Sequence, residues 1–222
     1  MSIFPRIIPT AEPFYLPGDK IGCLLVHGFT GTPKEMRWLG EYLNKKSVTV
    51  IAPRLAGHAT EPIEMQRSNW QDWVASVEDG YHLLRRSTDQ IFLIGLSMGS
   101  ALALYTGAHL PVRGIVALST PYSLGDDPRL PYAHLLHFLQ PKILKGPPDW
   151  RNPDAAADHI EYPYYPTRAI AELRDLLVEM RAALPRIQIP VLLIHSHQDG
   201  AVPPQNAEQI LSNLSVEDKT LL

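Results

Sequence analysis

Short, unbroken apolar runs alternate along this chain with stretches whose apolar positions recur every three to four residues. The runs are Ile21-Gly-Cys-Leu-Leu-Val26, Val48-Thr-Val-Ile-Ala52, Ile91-Phe-Leu-Ile94, Gly114-Ile-Val-Ala-Leu118 and Val191-Leu-Leu-Ile194. Continuous rather than alternating, they suit strands buried on both faces of a parallel sheet. Helical spacing fills the gaps. One pattern follows Pro33, a residue suited to a first helical turn, and runs to about Lys46. A second starts after Asn69, an N-cap residue, and puts Trp70, Trp73, Val74, Val77, Tyr81 and Leu84 on one face. Further helices are predicted over 98–109, through Ile170, Leu173, Leu177, Met180 and Leu184, and over 204–213. This βαβα order predicts an α/β fold, a mostly parallel sheet with right-handed crossovers and helices on both faces.

Residues 121–166 break the rhythm. They hold nine of the 21 prolines, with His134, His137, Trp150, Tyr162, Tyr164 and Tyr165. Proline fixes φ and removes a backbone donor, so a regular crossover helix does not fit, and a short helix over 132–139 is the most expected. An insertion after the C-terminal end of a strand lies over the ligand crevice of an open sheet. Its aromatic, weakly charged make-up argues against a disordered linker. The expected organisation is one domain over 1–222 with a cap inserted at 121–166. The three tyrosines either line a pocket or stack within the cap. Trp70 and Trp73 read as core, Glu61 and Glu64 as a solvated loop, and Asp72 as a surface charge.

Composition removes whole classes of function. The chain has 222 residues, 45% apolar and 19% charged, enough for one core. Its 23 acidic and 20 basic side chains give a charge of −3, without the concentrated cationic face that nucleic acid requires. No apolar run approaches the roughly 20 residues of a membrane span. The opening Met1-Ser-Ile-Phe-Pro-Arg6 lacks the apolar stretch of a signal peptide. Cys23 is the sole cysteine, which excludes an internal disulfide and a cysteine-based zinc site. Mid-strand, it reads as a small buried apolar residue. A cytoplasmic protein that needs neither metal nor cofactor is expected.

The chemistry is concentrated in Gly95-Leu96-Ser97-Met98-Gly99, between a strand and a helix. A serine on so sharp a turn projects its hydroxyl above the sheet, with a helix N-terminus behind it that favours negative charge. Bulk at positions 95 or 99 would strike neighbouring backbone. Ser97 is therefore the candidate nucleophile. Acyl transfer also needs donors for a tetrahedral oxyanion. His27-Gly-Phe-Thr-Gly31 follows the first strong strand, so the N–H groups of Phe29 and Met98 form the expected pair. His27 reads as a brace for its loop. The acid belongs at a strand end after the serine, and Asp199 in His195-Ser-His-Gln-Asp199 meets that need. Asp126 and Asp127 are its rivals.

These motifs, with Pro53-Arg-Leu-Ala-Gly-His58 and the prolines after Asp199, resemble the small bacterial carboxylesterases and monoacylglycerol lipases of the α/β-hydrolase superfamily. The likeness runs from about Phe14 to the last residue. It implies Ser97 as nucleophile, Asp199 as triad acid, Phe29 and Met98 as oxyanion hole, a structural His58, and 121–166 as the variable cap. The implied partner is a small-molecule ester of a short- or medium-chain acid, monoacylglycerols included. Acyl-serine thioesterase or peptidase chemistry is the alternative within the same machinery.

One part of the pattern is missing. The order in this architecture is serine, acid, histidine, yet His27, His58, His82, His109, His134, His137, His159, His195 and His197 all precede Asp199. In relatives the base lies about 30 residues past the acid, after one more strand. Lys219-Thr-Leu-Leu222 reads as the start of that strand. The first expectation is a truncated product or incomplete gene of an ordinary enzyme, with little esterase activity in these 222 residues. The second is a substitute base, drawn from His195, His197, His134 or His137. The third is a non-catalytic binding protein that keeps the pocket.

Overall fold

All five apolar runs become strands of one seven-stranded sheet in the computed structural model, which describes residues 6–125, 127–146 and 150–222. In chain order the elements are β1 (Phe14–Leu16), β2 (Ile21–Val26), α1 (Arg37–Asn44), β3 (Thr49–Ala52), α2 (Pro62–Arg67), α3 (Trp70–Leu84) and β4 (Gln90–Leu96). Then come α4 (Met98–Gly107), β5 (Gly114–Leu118), α5 (Ala133–Leu136), β6 (Lys142–Leu144), α6 (Pro153–Asp158) and β7 (Tyr164–Pro166). The chain closes with α7 (Thr167–Ala183), β8 (Val191–Ile194), α8 (Gln205–Asn213) and β9 (Lys219–Leu221). The sheet order is β1-β3-β2-β4-β5-β8-β9, and every pairing is parallel except β1 with β3.

That order positions the site. From β2 the chain steps to β3 on one side, then returns to β4 on the other. Loops leaving β2 and β4 therefore diverge, and a crevice opens between them at the C-terminal ends of the strands. His27–Gly31 and Ser97 lie on those two loops.

Strand alternation divides the core between the faces. Leu24 and Val26 of β2 join Trp73, Val77, Leu93, Leu102, Ile115 and Leu177 under α3, α4 and α7. Cys23 and Leu25 face the other way, with Phe14, Met36, Val50 and Ile94. Helix α4 carries buried residues around nearly its whole circumference, because α3 and α7 cover what the sheet does not. Asn69 caps α3 in a capping box. Asp72 is the expected exposed charge, and it also closes that box by accepting the Asn69 N–H at 2.9 Å.

Departures from the sequence reading are short elements. The pattern after Pro33 splits into a 3-10 turn, Pro33–Met36, and α1. The loop expected around Glu61 and Glu64 is α2, begun by Pro62 and pinned by an Arg67–Glu64 pair at 2.8 Å. A six-residue helix is too short to leave a periodic signature. The helix expected at 132–139 contracts to a 3-10 turn, Leu130–Tyr132, and the four-residue α5. Within 121–166, β6 pairs antiparallel with β7, and Asn152 caps α6 through the N–H groups of Asp154 and Ala155.

Tyr162 anchors this segment to the sheet loops. Its ring is buried, its hydroxyl donates to Gly57 O at 2.7 Å and accepts from Thr60 N at 3.0 Å, and its N–H donates to Thr30 O. Neither expected reading describes this tyrosine, which is anchored to Gly57, Thr60 and Thr30 outside the inserted segment rather than stacked within it.

Candidate active site

Ser97 sits on the turn from β4 to α4 with φ 53° and ψ −117°, a backbone state that a non-glycine residue adopts only under constraint. Three contacts supply the constraint. Ser97 N–H donates to Leu118 O at 2.8 Å, tying the turn to β5. A Cβ on Gly95 would overlap the Gly99 carbonyl, and one on Gly99 would overlap the Val26 carbonyl and lie 2.6 Å from His27 O. Glycine at 99 therefore lets α4 press against the end of β2, which brings the 27–31 loop beside Ser97. The third contact is Ser100, which sequence reasoning missed. Its buried hydroxyl lies 2.6 Å from Gly95 O and accepts Leu118 N–H at 2.9 Å. Only the spatial return of β5 beside β4 reveals that role.

Two backbone donors, one on the Ser97 turn and one on the 27–31 loop, are unspent among the described residues. Met98 is the first residue of α4, where helix geometry leaves the N–H without an acceptor, at the positive end of the helix dipole. Phe29 lies on the facing loop. Neither N–H has a hydrogen-bond acceptor among the described residues. The Phe29 ring is held between the core and the inserted segment, edge-on to Trp73 at 6.2 Å and stacked on Tyr165 at 5.8 Å. Thr30 is held at φ 61°, and its hydroxyl donates to Phe29 O at 2.6 Å.

His27 is a brace, as its position suggested. Nδ1–H donates to Gly28 O at 3.0 Å, and Nε2 accepts Leu55 N–H at 3.3 Å. Burial, with His58 nearby, holds its pKa well below the ordinary imidazole value, so both nitrogens are committed in a neutral ring. His58 is fully buried, packs edge-on to His27 at 5.0 Å, and donates from Nδ1 to Ala56 O. Burial lowers its pKa to about 4.

Asp199 lies in the loop after β8, at the same edge of the sheet as Ser97. Its Oδ1 accepts N–H bonds from Ala201 at 3.0 Å and Val202 at 2.9 Å, and Oδ2 stands 3.5 Å from His195 Nε2. His195 is buried and bonds through Nε2 to Val202 O at 2.8 Å. Asp127 is half-exposed and paired with Arg129 at 2.7 Å, whose hydrogen bonds draw its carboxyl down to about 2. Asp126 lies outside the described residues. His134 is held by Asp175 at 2.8 Å, and His137 by its bond to His134 O. No histidine among the described residues hydrogen-bonds the Ser97 hydroxyl.

Among the described residues no group of three or more His, Cys, Asp or Glu could hold a metal ion, and no helix is long and apolar enough to cross a membrane. Cys23 is buried, and burial pushes its thiol up to about 11, so it is chemically quiet.

Comparison with known proteins adds an independent line. Residues 19–222 match the Hydrolase_4 family, described as serine aminopeptidase, S33. The thermostable monoacylglycerol lipase of Bacillus sp. (strain H-257) is 39% identical over 218 residues, 97% of this chain and 85% of the relative. The carboxylesterase of Bacillus subtilis (strain 168) is 28% identical over 216 residues, 96% of this chain and 86% of that one. A solved structure from the metagenome-derived lipolytic enzymes LipS and LipT superposes with a TM-score of 0.91 at 33% identity, covering 98% of this chain and 88% of the other. The Paleococcus ferrophilus monoacylglycerol lipase shares the fold, with a TM-score of 0.79 at 22% identity over 95% of this chain and 87% of its own. The breadth of these matches, laid over a parallel sheet with a serine at its switch point, permits one placement: the chain belongs to the Hydrolase_4 (serine aminopeptidase, S33) family and has the α/β-hydrolase fold.

Proposed function

We propose that this protein is a serine hydrolase of carboxylic esters, acting through an acyl-serine intermediate. One observation carries the reading: Ser97 is held in a strained elbow, and neither its neighbour Met98 nor Phe29 on the adjoining loop has an acceptor for its N–H among the described residues. In this reading the Ser97 oxygen bonds to the ester carbonyl carbon while its proton passes to a base. The carbonyl oxygen becomes an oxyanion held by the two N–H groups. The alkoxide then leaves with a proton, and water repeats the sequence to release the acid.

Asp199 is the acid that orients an imidazole and stabilises it when charged. Segment 121–166 acts as the cap of a single domain; its Tyr165 stacks on Phe29 and its Trp150 borders a small cavity with Leu96 and Glu35. The apolar surface of Tyr165 and Trp150 favours esters of short- and medium-chain acids, monoacylglycerols among them, in keeping with the relatives' lipase and carboxylesterase activities. An aminopeptidase would need anionic side chains for a substrate ammonium; of Asp126, Asp127 and Asp149 in the inserted segment, only Asp127 lies among the described residues, and it is paired with Arg129. A single buried thiol fits a reducing compartment, and the cytoplasm is the proposed place of action.

No histidine follows Asp199 in these 222 residues. Among the described residues no histidine hydrogen-bonds the Ser97 hydroxyl, and where oxyanion donors and binding act alone the residual acceleration is about 10³–10⁴ over water. Hydrolysis of p-nitrophenyl butyrate by the chain and by Ser97→Ala tests both statements. Slow turnover that Ser97→Ala abolishes supports them. Turnover at ordinary esterase rates would place a base among the nine histidines, and turnover indifferent to Ser97→Ala would remove the serine mechanism.

A further inference from the structure

The loop bearing Phe29 is gripped from two directions. His27 holds it toward β3. On the opposite side lies Glu35, in the 3-10 turn Pro33–Met36. Its Oε2 accepts Gly28 N–H at 2.8 Å. Its other oxygen lies so close under Gly31 that a Cβ there would overlap the carboxyl group. The 28–31 turn is thus folded around one side chain, which is only 10% exposed.

The groups facing this carboxyl come mainly from the inserted segment. His159 Nε2 is 3.7 Å from Glu35 Oε1 and 3.6 Å from Glu161 Oε2. Lys145 pairs with Glu161 and donates to Thr30 Oγ1 at 2.8 Å. The Trp150 ring covers His159 at 4.7 Å. From Glu35's own turn, Lys34 is taken by Asp158 at 2.6 Å. A cavity of about 200 Å³, bordered by Glu35, Trp38, Leu96, Trp150 and His159, gives the carboxyl a route for proton exchange.

We propose that Glu35 is a positioning residue for the oxyanion loop: as a carboxylate it locks Gly28 and so aims Phe29 N–H at Ser97, and His159 and Lys145 help keep it ionised. The proposal rests on Ser97 and Phe29 having the roles given above. A hydrogen bond to a carboxylate is about twice as strong as one to a neutral acceptor. Protonation of Glu35 therefore slackens the loop without unfolding it. Burial pushes this carboxyl up to about 7, against the pull of the Gly28 N–H, His159 and Lys145 and with the push of Glu161. The slackening consequently falls in the neutral range.

The test uses the full chain labelled with nitrogen-15. The Gly28 amide should titrate with a midpoint near pH 7 in the wild type, should not titrate in Glu35→Gln, and should shift its midpoint upward in His159→Gln. Residual p-nitrophenyl butyrate turnover should fall about 10-fold in kcat with little change in KM in Glu35→Gln, a fraction of the 10²–10³ that loss of a whole oxyanion donor costs. The wild-type rise in rate between pH 6 and 8 should flatten in that variant. A Gly28 amide that does not titrate, or wild-type kcat in Glu35→Gln at every pH, overturns the proposal. Turnover unaffected by Ser97→Ala would instead refute the serine mechanism, while the Gly28 titration would still decide whether Glu35 holds the loop.

Discussion

Removing the charge of Glu35 should make the folded chain more stable at alkaline pH and leave it unchanged in acid. The carboxyl has an ordinary pKa of 4.5 and is raised to about 7 by burial in the folded state. The folded chain therefore holds this proton more tightly than the unfolded chain. Its favourable contribution is complete below pH 4.5 and is lost as pH rises through 7. At about 1.4 kcal/mol per pH unit, the displacement is worth about 3 kcal/mol by pH 8. Glutamine keeps the shape and an acceptor for Gly28 N–H but never ionises. Urea unfolding of wild type and Glu35→Gln should thus coincide near pH 4.5 and separate by about 3 kcal/mol at pH 8. With an m-value of about 2–3 kcal/mol per molar urea, the midpoint rises by about 1 M. A variant less stable than wild type at pH 8, or a difference that does not change with pH, would refute the reasoning. A confirmed gain would also explain the residue: a buried carboxylate that costs stability is kept where the site needs it.

Three further outcomes follow from single contacts. Gly99→Ala drives a Cβ into the Val26 carbonyl, which cannot rotate away, so it should lose about 3 kcal/mol and blunt Ser97 labelling by a fluorophosphonate probe. Labelling and melting temperature equal to wild type would contradict the close approach. Tyr162→Phe leaves Gly57 O and Thr60 N without their partner, so thermal unfolding should report a loss of about 1–2 kcal/mol. The His58 ring should titrate near pH 4 by NMR, so its stabilising effect is present above pH 6.5 and is lost as pH falls through 4. A ring that titrates between 6 and 7 would show that it is not buried as described. Over pH 4.5 to 6.5 the Glu35 and His58 slopes oppose one another, which is why each needs its own probe.

The sequence by itself determined whatever is encoded within one element or one turn. Unbroken apolar runs located β2, β3, β4, β5 and β8, because a strand covered on both faces has no polar side to show. Asn69 announced α3, since a cap acts within one turn of its helix. Gly95 and Gly99 around Ser97 announced the elbow, since the steric demand falls on the neighbours of one residue. The closing Leu221-Leu222 of Lys219–Leu222 anticipated β9. Tertiary structure decided everything that depends on residues far apart in sequence. Ser100 secures the elbow only because β5 returns beside β4, and Tyr162 anchors its segment through Gly57, 105 positions away. Glu35 reads as one more acidic residue in a helical pattern until Gly28 and Gly31 close around it and His159 arrives from the inserted segment. Local patterns record which face of an element is apolar. They hold no record of which polar group from a distant segment will meet a buried donor, and that meeting shapes the loop beside Ser97.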